Sequence, residues 1–223
     1  MTLTNRCLIL AVSLAASTAH SQAVAPGPLR VSLAPIVIRD SVRDTTRKAR
    51  LHNLTITALA ELRRNAMVAY VQAAVEVLKP LLPTSTTVAV RAEDCGRASF
   101  MYDPATRKVI LCYEMGPAVT QVALQGAARD RGWGVVPAPT DSEARSTADG
   151  FLVFGILHEV GHALIHERGL PLLGGEEEAA DGFAVFALVS ARESSIAIES
   201  AQWFTWRETA AIVADTVPGV NRN

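Results

Sequence analysis

HEVGHALIHERGLPLLGGEEEAAD, from His158 to Asp181, carries three of the five histidines in this 223-residue chain and a run of three consecutive glutamates. Phe151, Phe154, Leu157, Val160 and Leu164 recur at helical spacing through its start, and Gly169 and Pro171 interrupt the run. The spacing predicts a helix from about Asp149 to Glu167, and a second helix from Glu176 to about Arg192. The intervening GLPLLGG is long enough to turn the chain, so the second helix is expected to pack back against the histidine-bearing face of the first.

Four residues separate His158 from His162, which places both rings on one helix face, about 6 Å apart along the axis. Both can therefore reach one ion. Zinc binds imidazole nitrogen at about 2.0 Å, prefers four ligands and, in catalytic sites, keeps one position for water. Glu159 is turned so that its carboxylate can approach that water without binding the ion, the HExxH arrangement in which the glutamate is a general base.

A third protein ligand is needed. The metzincin pattern would place glycine and histidine where Ile165 and Arg168 stand, which excludes that class. His166 lies about 12 Å along the helix from His158, too far to share its ion, and reads as a solvated or capping residue near the helix end. Glu177 and Asp181 lie four apart on one face of the next helix. One of them could complete the metal shell while the other accepts a hydrogen bond from a histidine ring. Glu178 is turned about 100° away, and Glu176 stands at the helix start, where an acid interacts favourably with the dipole. The competing reading of the three glutamates is a charged first turn with no further role.

Working outward, residues 1–23 combine Arg6, an apolar run from Cys7 to about Ala16 and small residues at Ser21 and Ala23. This is the pattern of a signal peptide, and the run is too short to span a bilayer. The chain is thus expected to be exported, to a periplasmic or extracellular location. The remainder is sufficient for one domain with a sizeable core. The charges of the whole chain nearly cancel, 21 lysines and arginines against 22 acids, which gives no electrostatic footprint for nucleic acid or an anionic membrane.

Beyond the signal, only Cys95 and Cys112 remain, an even number in a compartment that permits disulfides, and they are expected to pair. Between them, two β-prone runs flank Asp103, Pro104, Ala105 and Thr106, a good turn sequence, so a hairpin is expected. With the turn at those residues, Cys112 would fall nearly opposite Arg97.

Residues 24–48 read as an N-terminal arm with a possible short strand at Val31–Ile38, and residues 49–223 as the folded domain. Leu54, Ala58, Leu62, Ala66, Ala69, Ala73 and Val77 suggest the apolar face of a long helix from about Leu51 to Leu78, ended by Pro80 and Pro83. Thr86–Arg91 reads as a strand. Pro117–Asp130 has helical character, but Gly126 and the following RGWGVVPAPT argue for a long irregular connection. A last helix is expected from about Ser195 to Val213. The fold class is therefore α+β: a mainly helical single domain with a small antiparallel sheet.

HEVGHA, LPLLGGEEEAAD, CGRASFMYDP and LCYEM together resemble a bacterial family of exported zinc metallopeptidases, related in motif to the gluzincins, of which thermolysin is the best-known member. The resemblance covers roughly Leu51 to Val189. It implies a gluzincin-like pair of metal-binding helices, with His158, His162 and Glu177 as zinc ligands, Glu159 as general base and Asp181 as the partner of His158. Members of that family often have asparagine where Ser99 stands. No tyrosine or histidine follows Glu177, so the group stabilising the transition state would come from elsewhere, with Tyr102 and Tyr113 as candidates. The implied activity is hydrolysis of peptide bonds in a peptide or protein substrate. The alternative is an exported, non-catalytic zinc-binding or partner-binding protein with a vestigial site. An open three-ligand site favours catalysis, since structural zinc sites are closed and commonly cysteine-rich.

Overall fold

The computed structural model describes residues 29–33, 47–83 and 86–216, with side chains described for 62–83 and 86–212. The expected signal peptide lies outside the described residues, as does all of the N-terminal arm except its short strand and the first residues of the first helix. Along the chain run β1 (Leu29–Leu33), α1 (Arg47–Leu78), β2 (Val88–Glu93), β3 (Phe100–Asp103), β4 (Lys108–Cys112), α2 (Met115–Gly132), α3 (Asp141–Arg168), α4 (Glu176–Ser190) and α5 (Ser194–Thr216). The α+β, mainly helical architecture is as expected.

The sheet is mixed rather than antiparallel, with strand order β1-β2-β4-β3. β1 and β2 are joined through α1 and pair parallel, the arrangement a helical crossover imposes. β4 also pairs parallel with β2, and only the β3–β4 hairpin is antiparallel. The sequence pattern located the strands but carried no sign of their direction. Within the hairpin, Phe100 pairs with Leu111 and Asp103 with Lys108, leaving Pro104–Arg107 as the loop.

The expected register differs by two residues: Cys112 donates its backbone N–H to Ser99, not to a residue near Arg97. Asp103 closes the turn, accepting from the Ala105 amide at 3.0 Å and the Thr106 hydroxyl at 2.6 Å, and Arg107 takes a left-handed conformation at φ 55°. A two-residue shift keeps every side chain on its expected face. The Cys95–Cys112 disulfide forms as expected and ties the loop entering β3 to the end of β4.

α3 is the central element. It starts eight residues before the expected Asp149, because Thr140 and Glu143 form a capping box: the Thr140 hydroxyl accepts from the Glu143 amide and the Glu143 carboxylate accepts from the Thr140 amide. Left-handed Gly169 ends it, with the Leu170 amide bonded to the Ile165 carbonyl at 3.0 Å. By length and composition α3 could cross a membrane, but most of its apolar surface lies inside this protein.

Its C-terminal half packs with α1, β2, β4 and α4 around Leu157, Val160, Leu111 and Leu188. Its N-terminal half packs with α2 and α5 around Phe151, Leu152, Trp203 and Trp206. α1 keeps the end of the expected face inward, with Val77 buried and Ala73 packed against the core, but its middle faces differently. Met67, Val71, Ala74, Val75, Val77 and Leu78 are buried, whereas Leu62 is 58% exposed and Ala66 and Ala69 are open to solvent. Bulky side chains remove more apolar area from water than alanines do, and so decide which way the helix faces.

Candidate metal centre

Buried α3 and the N-terminal turn of α4 meet at a cleft roofed by β3. Their close approach depends on Gly161, inside HEVGH: a Cβ there would meet the Ala180 backbone at 3.1 Å and its side chain at 3.3 Å. The approach brings the first residues of α4 onto the histidine face of α3. His158 Nδ1 lies 2.8 Å from Asp181 Oδ1, and His162 Nδ1 lies 2.6 Å from Glu176 Oε1. With both Nδ1 atoms facing carboxylates, each ring presents Nε2 to the other, 3.0 Å apart. The Glu177 carboxylate closes the group, with Oε2 at 3.3 Å from His158 Nε2 and Oε1 at 3.5 Å from His162 Nε2.

This donor set has a clear chemical character. A neutral imidazole that gives Nδ1–H to a carboxylate keeps its lone pair on Nε2, so this placement of Asp181 and Glu176 favours two imidazole acceptors facing the Glu177 carboxylate. The three ligand atoms lie within 4.8 Å of one another. Such a convergence repels itself unless a cation sits in it, and imidazole with carboxylate is a donor set suited to zinc and other transition metals. The residues therefore fit a metal ion.

Glu159 lies on the same turn, 9% exposed, and lines the cleft beside both histidines. Burial pushes its pKa above the ordinary carboxylate value, opposed by His158 and His162 and by a hydrogen bond from the Tyr102 backbone N–H. Glu176 is held below the usual range, chiefly by its hydrogen bond with His162 and then by the neighbouring His166.

Tyr102 and Tyr113 are placed very differently. Tyr102 lines the cleft, but its hydroxyl donates to Glu167 Oε1 at 3.2 Å, a carboxylate also bound by Arg107 at 2.6 Å through Nε. This cluster fastens the hairpin loop to the last turn of α3. Tyr113 is 3% exposed, packed in the core beside α1 and α2, and is absent from the cleft lining. The structure therefore does not bring Tyr113, the residue after β4, to the cleft; it packs into the core.

His166 also departs from expectation. Its carbonyl accepts from the Gly169 cap, but its half-exposed ring lines the cleft, 3.2 Å from Glu176 Oε1 through Nε2 and 5.4 Å from the Tyr102 ring. The sequence reading gave Glu176 no part beyond the helix dipole. The signal that could have found it was the residue's position: the loop brings the start of α4, not only Glu177 and Asp181, against the histidine face.

A family model described as "Putative metallopeptidase" (DUF4344) matches residues 57–218, which include every residue of this cleft. The chain belongs to that family. Membership in a metallopeptidase family implies a metal and a peptide or protein substrate, and the group formed by His158, His162 and Glu177 is where such a metal could be held. No curated protein and no solved structure matches the chain.

Proposed function

We propose that this protein is an exported zinc-dependent endopeptidase of gluzincin type, released to the periplasm or beyond after removal of residues 1–23. The observation that carries the reading is the convergence of two Nε2 atoms 3.0 Å apart on the Glu177 carboxylate, with each Nδ1 beside an acid. His158, His162 and Glu177 would hold the ion. A zinc ion bound by such a set supplies polarisation of the scissile carbonyl and a water acidified toward neutral pKa.

The chain's own part in the reaction belongs first to Glu159. Its carboxylate accepts the proton of the attacking water and delivers it to the departing amine nitrogen. The upward pull of burial on its pKa suits both halves of that transfer, because a base poised nearer the working pH also becomes a competent acid. The Tyr102 amide holds the carboxylate in place throughout. Asp181 keeps the His158 ring in the Nδ1–H form, so that Nε2 stays available.

β3 supplies the means of holding substrate. It is an edge strand, and because Ser99 faces β4, alternation turns the Phe100 backbone and the Tyr102 carbonyl toward the open edge above the cleft, the Tyr102 N–H being held by Glu159. An extended peptide can add there by main-chain pairing, which selects for extended shape more than for side-chain identity. Tyr102 remains a candidate for stabilising the transition state only if its hydroxyl leaves Glu167.

The test is Glu159→Gln. Zinc stoichiometry should be unchanged, and hydrolysis of an unstructured peptide library, followed by mass spectrometry, should fall by about 10²- to 10⁴-fold. Full turnover in that variant, or wild-type protein that binds no zinc, would reject the reading.

A further inference from the structure

Glu176 holds two histidines with one oxygen. Its Oε1 lies 2.6 Å from His162 Nδ1 and 3.2 Å from His166 Nε2. These imidazoles stand one turn apart on α3, and the carboxylate reaches them from the first residue of α4. His158 is held differently, by Asp181 from the second turn of α4. We propose that Glu176 and His166 form one positioning device for His162: the carboxylate fixes the His162 ring as the Nδ1–H tautomer, and His166 fixes the carboxylate.

The need for a second anchor follows from where Glu176 sits. It is partly solvent-exposed, and a glutamate side chain at a helix start has rotamer freedom that a single hydrogen bond must overcome. His166 supplies a second donor to the same oxygen, and its ring is braced against Tyr102 at 5.4 Å between centroids. Both donors reach Oε1, so Glu176 is held by two contacts to a single oxygen. His166 cannot join the His158 ion directly, being two helical turns away along α3, about 12 Å. It acts through Glu176. The HALIH spacing that suggests a longer metal-binding stripe thus serves orientation of a ligand instead.

The proposal rests on the metal-binding reading for one of its readouts and not for the other. In metal-free protein labelled with ¹⁵N-histidine, the His162 ring should give the pattern of an Nδ1–H tautomer with a strongly hydrogen-bonded, slowly exchanging proton. Glu176→Ala should convert it to a tautomer mixture and abolish that proton, and His166→Gln should weaken its protection from exchange. A His162 tautomer unchanged in Glu176→Ala overturns the proposal whether or not the protein binds zinc.

Zinc affinity, measured by competition with a chromophoric chelator, supplies the second readout. Glu176→Ala should weaken binding about 10- to 100-fold. Glu176→Gln, which retains a carbonyl acceptor, should recover part of the loss. His166→Gln should weaken binding several-fold in the wild-type background and not at all when Glu176 is alanine. An equal His166→Gln effect in both backgrounds would show that the two residues act separately. Should Glu176→Ala fail to fold, the cycle is run with Glu176→Gln, where the His166 effect should shrink. Wild-type protein that binds no zinc but shows the expected tautomer would sink the peptidase reading and leave the positioning device standing.

Discussion

The two halves of α3 are built on opposite principles. Toward its N-terminus the helix is locked by aromatic volume: Phe151 stacks on Trp203 at 3.7 Å between centroids, Phe204 meets Phe151 edge-on at 5.2 Å, and Trp206 is 3% exposed. Even the polar atoms of that region serve packing, with the Trp203 indole N–H given to the Val119 carbonyl and that of Trp206 to Asp130. Toward its C-terminus the same helix carries His158, Glu159 and His162 against the carboxylates of the first two turns of α4. The first half gains stability from burial on its aromatic side, whereas the second buries Leu157, Val160 and Ala163 on one side and sets like-natured acceptors face to face on the other. One helix therefore holds a rigid scaffold and a site that works against the scaffold's stability, a division that keeps the strained part small.

The division can be broken at three places. The largest effect should come from Trp206→Ala, which removes a buried ring and a hydrogen bond to Asp130. A loss of about 3–5 kcal/mol is expected in chemical denaturation, with zinc affinity of the folded protein unchanged. A parallel loss of metal binding would mean that the two halves are mechanically linked.

Gly161→Ala should do the reverse. Its added methyl pushes α4 off α3, costing about 1–3 kcal/mol of stability. Zinc affinity should nevertheless drop by about tenfold or more, because Glu177, Asp181 and Glu176 all ride on α4. Retention of wild-type affinity would show that α4 can shift without carrying the carboxylates away.

The smallest effect belongs to Tyr70, whose hydroxyl donates to Asp149 at 2.7 Å and ties α1 to the scaffold half. Burial, then the hydrogen bond to Asp149 and its charge, push the phenol's pKa well above the ordinary value near 10. A phenol whose folded pKa is raised contributes stability that is whole below the unfolded pKa and is lost as pH climbs through and beyond it. Stability should therefore decline above about pH 10. Tyr70→Phe should cost about 1 kcal/mol at neutral pH and flatten the alkaline decline, read as urea midpoints at several pH values. An unaltered alkaline slope would assign the decline to another group.

How much of this was legible beforehand depends on which half is considered. The residues of the cleft announced themselves, since ligand geometry constrains both residue type and spacing: His158 and His162 four apart, Glu177 and Asp181 four apart, and a loop of the right length between. The packed half was harder to read. Gly126 looked like a helix breaker, yet it lies within α2 because the ring of Trp206 occupies the space a side chain would need. Nothing local to Gly126 reveals a tryptophan eighty positions on. TDSE at 140–143 is a capping signal that marks the true start of α3, whereas the apolar spacing from Phe151 onward places the boundary too far inward. Strand direction was equally invisible: alternation encodes faces, whereas the parallel pairing of β1, β2 and β4 comes from how α1 and the hairpin route the chain. The link between Glu176 and His166 is hidden for a related reason, since the pattern of each helix says nothing of a meeting between helices.

The continuity of α3 from its capped start to Gly169 has a consequence for heredity. Since both cores along α3 are built from apolar side chains and not from the histidines, a descendant that exchanged His158 or His162 for an apolar residue would keep its shape and relieve its most crowded polar contacts. Chemistry in this lineage can vanish silently. Shape shared with a cousin is then poor testimony about what that cousin cleaves, and kinship must be read at four or five positions rather than across the whole chain.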